Sequence, residues 1–169
     1  MSKFMNHECR LSKEIKKFIE FLGRVGACRY VLLMAALSIF LSFIFSIPFI
    51  VINYSDQPRS LGVGWNSFIL TVIFGPLLET ILFQTIPMLI VRRLKLSDGW
   101  IFWACSAPFA LAHISVGWIS FFAGGVSVGV PLGLTMIQWG ADYMTKAVVM
   151  SFLIHSLHNL IMIVMNRFF

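Results

Sequence analysis

GPLLETILFQ, residues 75–84, places the carboxylate of Glu79 inside a run that otherwise belongs in lipid. An ionised side chain at the bilayer centre costs about 2.5–3.5 kcal/mol on insertion scales, so a retained one marks a function. Three of the four histidines, His113, His155 and His158, also fall in apolar segments. Phe109 and His113 are four residues apart and share a helix face, as do His155 and Asn159, with His158 in the same broad arc. The chemistry this inventory supports is water activation. A carboxylate can take a proton from water as a general base, and a neighbouring histidine can hold the same water or exchange protons with it. A second histidine and an asparagine amide can donate hydrogen bonds to the oxyanion formed when water attacks a peptide carbonyl. Glu79 with His113 would make the nucleophile, and His155 with Asn159 would stabilise the intermediate. No covalent nucleophile is required.

The elements that must position these groups are membrane helices. Of 169 residues, 59% are hydrophobic and 12% charged, against about 25% charged in a soluble domain. Length and hydropathy predict an all-α bundle of five spans at about 30–52, 66–91, 100–116, 118–138 and 143–166. These form one transmembrane domain over 30–169, preceded by a basic segment over 1–29. Within that segment Leu11, Ile15, Phe18, Ile19 and Leu22 recur at helical spacing, which predicts an amphipathic helix on the cytoplasmic face, in contact with anionic lipid. The segment lacks the features of a cleavable signal and is expected to be retained. With the N-terminus inside, eleven of the thirteen basic residues lie on the inner side and only Arg59 and Arg167 outside. This asymmetry sets the orientation and accounts for the net charge of +6 without nucleic acid. Compactness and the absence of targeting signals point to a prokaryotic cytoplasmic membrane.

Depth then tests whether the polar groups can meet. Glu79 is thirteen residues before Arg92, His113 fifteen after Asp98 and His155 thirteen after Asp142. At 1.5 Å per residue each lies roughly 20 Å from the inner edge, in one layer. In regular helices Pro76, Pro87 and Pro108 would free the carbonyls of Val72, Phe83 and Ala104, which fits an opened interior. Ala107, Pro108 and Gly117 mark the third span as broken or re-entrant. Gly125, Gly129 and Gly133 form a small-residue stripe that permits close helix packing. Cys9, Cys28 and Cys105 stand at unrelated spacings and indicate no disulfide framework.

At these residues the sequence resembles the CAAX protease and bacteriocin-processing family, the CPBP or Abi group of glutamic intramembrane proteases. Its three signals occur in order: a glutamate-led motif in LLETILFQ, Phe-xxx-His at Phe109–His113 in FALAHIS, and His-xxx-Asn at His155–Asn159 in HSLHN. Singly each is weak; together, on separate spans at matching depth, they are fairly specific over about residues 66–166. The resemblance implies that Glu79 and His113 activate water, that His155 and Asn159 form the oxyanion site, and that no cofactor or metal takes part. The family's first motif has two adjacent glutamates followed four residues later by arginine, whereas this chain has Glu79, Thr80 and Gln84. Thr80 and Gln84 are expected to form a hydrogen-bonded pair in place of the ionic one. The resemblance implies a membrane-associated peptide or protein substrate and leaves prenylated tails, peptide precursors, leaders and sorting tails open.

Blander readings stand beside these. A lone membrane glutamate can simply bond another helix, His158 can be a packing histidine, Asn159 can be interhelical glue, and Phe109 can only be a pocket wall. Three rival functions remain: a proton or ion transporter, although no inverted repeat is visible; a zinc site built from Glu79, His113, His155 and His158, although HExxH is absent; and a catalytically silent membrane protein that binds a peptide or confers immunity.

Overall fold

A computed structural model describes Lys17, Phe21, residues 24–52, 65–140 and 143–168. The amphipathic segment predicted over 11–24 lies almost wholly outside the described residues, as does Asp142.

Among the described residues, five helices are long and apolar enough to cross a membrane: α1 (Ala27–Val51), α2 (Trp65–Arg93), α3 (Asp98–Val116), α4 (Ser120–Gly140) and α5 (Met144–Phe168). Among the described residues there is no strand. The helices form because each span is a predominantly apolar run, and in lipid only intrahelical bonding can satisfy the backbone. Large apolar side chains such as Leu32, Phe40, Phe43, Leu70, Leu89 and Trp103 point outward. An outward apolar surface is what a lipid-facing bundle requires.

Helix α4 is the central element, with 50% of its span buried against 22–28% for the other four. It packs on α1, α3 and α5. One core layer joins Tyr30 and Met34 of α1 to Phe109, Val128, Leu132, Met150 and Ile154; a second joins Met88 and Val91 of α2 to Ile101, Cys105, Met136 and Ala147. Near the ends of α4 and α5, Tyr30 Oη donates to Thr135 Oγ1 at 3.1 Å, and the Lys146 ammonium lies 3.4 Å from the centre of the Trp139 ring. A cation over an aromatic face suits the membrane boundary.

The glycine stripe of α4 is the seam with α3. A Cβ at Gly125 would lie 2.7 Å from Ala110 Cα, one at Gly129 would lie 3.0 Å from Ser106 O, and one at Gly133 would collide with the Ser106 hydroxyl. Ser106 Oγ donates to Gly129 O at 2.9 Å across the seam. Close backbone approach is therefore what the stripe provides, as expected.

The third span differs from the expectation of a broken or re-entrant segment. It is α-helical from Asp98 through Pro108 to Ala112 and ends in one 3₁₀ turn, Ile114–Val116. The interruption comes at its end, where Gly117 (φ 132°, ψ 167°) turns the chain directly into α4. This conformation is open essentially to glycine alone. Gly117→Ala is expected to cost about 1–3 kcal/mol, read as a lowered midpoint of unfolding in detergent. An unchanged midpoint would mean that the turn relaxes freely.

Candidate active site

Helix α2 is wound unevenly, and this sets the site. Two π-helical turns, Leu70–Phe74 and Ile81–Thr85, bracket a short α segment, Gly75–Thr80, which carries Glu79. Each wide turn ends just ahead of a proline. Gly75 N–H bonds Leu70 O before Pro76, and Ile86 N–H bonds Ile81 O before Pro87. In this winding the next partner of Thr71 O would be the N–H of residue 76, which proline lacks. The orphaned carbonyl is therefore that of Thr71, not of Val72 as regular α counting predicts. Asn159 Nδ2 of α5 donates to it at 2.9 Å. Such wide turns are frequent at functional sites.

The structure brings Glu79 and His155 together: His155 Nε2 lies 3.7 Å from Glu79 Oε2. This is an ion-pair distance and too long for a hydrogen bond. The imidazole is enclosed, whereas the carboxylate is about one-third exposed, with its side chain at 34%. Glu79 Oε2 and His155 Nδ1 are enclosed and have no hydrogen-bond partner in the protein. Enclosed polar atoms left without a protein partner have capacity for water or substrate.

Phe109 forms the wall between the histidines. It is fully buried, with its ring centre 4.9 Å from that of His113 and 5.2 Å from that of His155. His113 Nδ1 is 2.9 Å from Phe109 O. A carbonyl only accepts, so Nδ1 carries the proton and the neutral ring presents Nε2 as its acceptor. A Cβ at Gly124 would come within 3.3 Å of His113 Cδ2, so the ring rests on a bare stretch of α4 backbone. Depth counting places Glu79, His113 and His155 in one layer, and in the structure His155 lies 3.7 Å from Glu79 while both histidines pack against Phe109. Among the described residues, no three histidine, cysteine, aspartate or glutamate side chains are arranged to hold a metal ion.

Thr80 and Gln84 do not pair as expected. Both are fully buried, but Gln84 Nε2 donates to Cys105 O of α3 at 3.0 Å, and Cys105 Sγ returns a bond to Gln84 O at 3.3 Å. The reason is the second π turn: the residue one turn beyond Thr80 is Thr85, whose hydroxyl donates to Thr80 O at 3.2 Å. Gln84 is turned towards α3, and Thr80 Oγ1 is left without a partner. Gln84 therefore fastens α2 to α3.

His158 also belongs to this layer. It is buried, with Nδ1 2.9 Å from Ser38 Oγ of α1. Ser38 escaped sequence reasoning, although Ser38, Ser42 and Ser46 recur at four-residue spacing in an otherwise apolar span and that stripe was the available signal. Gly124 was missed as well, since it stands outside the stripe of Gly125, Gly129 and Gly133.

No curated protein and no solved structure shows a significant match to the chain. The profile of the family described as type II CAAX prenyl endopeptidase Rce1-like matches residues 61–161, which is 101 of the 169 residues and contains Glu79, His113, His155 and Asn159. The family includes CAAX endopeptidases that work within the membrane, and the chain, an integral membrane protein with five apolar spans, belongs to it.

Proposed function

We propose that the protein is a metal-independent endopeptidase that hydrolyses a membrane-associated peptide with water activated by Glu79 and His113. The observation that carries this reading is the part-exposed carboxylate of Glu79, whose Oε2 has no hydrogen-bond partner, 3.7 Å from the enclosed imidazole of His155 within the family-matched segment. Water bound there gives one proton to the Glu79 carboxylate and its second hydrogen bond to His113 Nε2, while its oxygen attacks the scissile carbonyl. The oxyanion is met by His155 and by the second amide proton of Asn159, the first being engaged on Thr71 O. Collapse of the intermediate returns the proton from Glu79 to the departing amine. Gln84 supports the site by holding α2 on α3, Thr80 lies next to Glu79 in the buried face of α2, and Phe109 walls the pocket.

The family description makes a prenylated C-terminal tail the first substrate to test. An apolar groove of about 890 Å³ supports it: the groove runs between α1 and α5 past Val31, Leu32, Val149 and Leu153 to Val72 and Leu160. The last two are sequence neighbours of Thr71 and Asn159, so an isoprenoid chain lying there would end beside the site. The charge asymmetry of the sequence supports a cytoplasmic inner side, from which a substrate tail would be presented to the site.

Purified protein in liposomes with a farnesylated tail peptide tests this directly. Release of the terminal peptide is expected, with an undiminished rate in chelator. Loss of cleavage in chelator, restored by zinc, would replace this mechanism with a metal-dependent one.

A further inference from the structure

Helix α1 lies outside the family-matched segment, yet it reaches the site through one bond. Ser38 is fully buried, and its single hydroxyl proton goes to Ala35 O at 2.7 Å. The oxygen can therefore only accept from His158 Nδ1, 2.9 Å away, which fixes His158 as the Nδ1-protonated tautomer. One residue further along α5, Asn159 donates to Thr71 O of α2. With about 100° per residue, His158 projects about 60° to one side of His155 and Asn159 about 40° to the other. The direction of His155 is thus bracketed by two polar bonds to two different helices, one buried and one half-buried, and Glu79 is what it meets. Apolar contacts resist rotation of a helix in lipid only weakly, because neighbouring rotations bury similar surface; directed hydrogen bonds resist it strongly.

We propose that Ser38 and His158 are positioning residues which, together with the Asn159–Thr71 bond, pin the rotation of α5 so that His155 faces Glu79. The inference rests on the protease reading of the site. It assigns α1 a part in catalysis and assigns His158 a role through Nδ1 alone.

Two arms test it. In the kinetic arm, Ser38→Ala is expected to lower kcat about tenfold with KM unchanged, since it removes one buried bond and touches no substrate. Ser46→Ala, which loses only a bond to Ser42 O on the same helix, is expected to match wild type. His158→Asn keeps a donor near the Nδ1 position and should retain most activity, whereas His158→Leu should fall with Ser38→Ala. If His158→Asn is as impaired as His158→Leu, or Ser38→Ala turns over like wild type, the pin is overturned. In the spectroscopic arm, ¹⁵N-labelled histidine should show His158 protonated at Nδ1 and a shifted His155 signal in Ser38→Ala. A His158 ring protonated only at Nε2, or an unmoved His155 signal, would also overturn it. A wild-type protein that cleaves nothing would refute the protease reading, and the spectroscopic arm would still decide the pin.

Discussion

Glu79→Gln is expected to lower kcat/KM by about 10³-fold or more, because one carboxylate serves as base for the water and as acid for the leaving amine. The amide has nearly the same shape and cannot take the proton. The substitution should not destabilise the bundle. Glu79 Oε2 has no hydrogen-bond partner, and removing an ionisable group from a membrane interior relieves a cost. The unfolding midpoint is therefore expected to hold or rise while activity is lost. That opposite movement of the two readouts separates a catalytic group from a structural one. Residual turnover within about tenfold of wild type would remove the general-base assignment. A fall in stability matching the loss of activity would instead make Glu79 a helix-bonding residue.

Gly125→Val is expected to show the largest structural effect. A single added Cβ already meets Ala110 Cα at 2.7 Å and Ala110 O at 2.8 Å, and both are backbone atoms that cannot rotate away. Helices α3 and α4 must then separate, and the seam held by Ser106 on Gly129 opens with them. A loss of about 3–5 kcal/mol is in the range of severe overpacking and broken buried bonds. Activity should fall as well, since Phe109 and His113 ride on α3 at the same seam. Gly26→Val is the control: a Cβ there has nothing within 4 Å, so its midpoint should stay at the wild-type value. Equal midpoints for the two variants would show that the seam is not tight.

Much of this was legible in the sequence because the membrane simplifies it. Span lengths follow from hydrocarbon thickness, so the five helices were found within a few residues of Ala27–Val51, Trp65–Arg93, Asp98–Val116, Ser120–Gly140 and Met144–Met165. Depth along regular helices placed Glu79, His113 and His155 in one layer, and the structure brings Glu79 and His155 to 3.7 Å. The glycine stripe was readable because a missing side chain has one main use at a helix interface.

What failed depended on winding. Counting at 3.6 residues per turn assigned the carbonyl freed by Pro76 to Val72 and paired Thr80 with Gln84. The π turns of α2 moved the first to Thr71 and gave Gln84 to Cys105. A wide turn costs little where a proline has already removed a donor, and a one-residue slip leaves no trace in hydropathy. Of Ala107, Pro108 and Gly117, only Gly117 interrupts the third span, because an interior proline can be carried in an otherwise continuous membrane helix. Ser38 differs: the serine stripe of α1 marks a polar face, but its partner, His158, lies 120 residues away, and the stripe does not encode which residue it meets.

The central claim is that Glu79 drives peptide hydrolysis in the membrane without metal, and a substrate-independent measurement tests it most directly. The membrane and secreted peptides of cells carrying wild-type protein are compared with those of cells carrying Glu79→Ala at matched expression, with chelator-treated membranes assayed in parallel. The account predicts a precursor that accumulates only with Glu79→Ala and is processed by wild-type membranes in chelator. Identical inventories would contradict it and leave a protein that binds membrane peptides without cutting them.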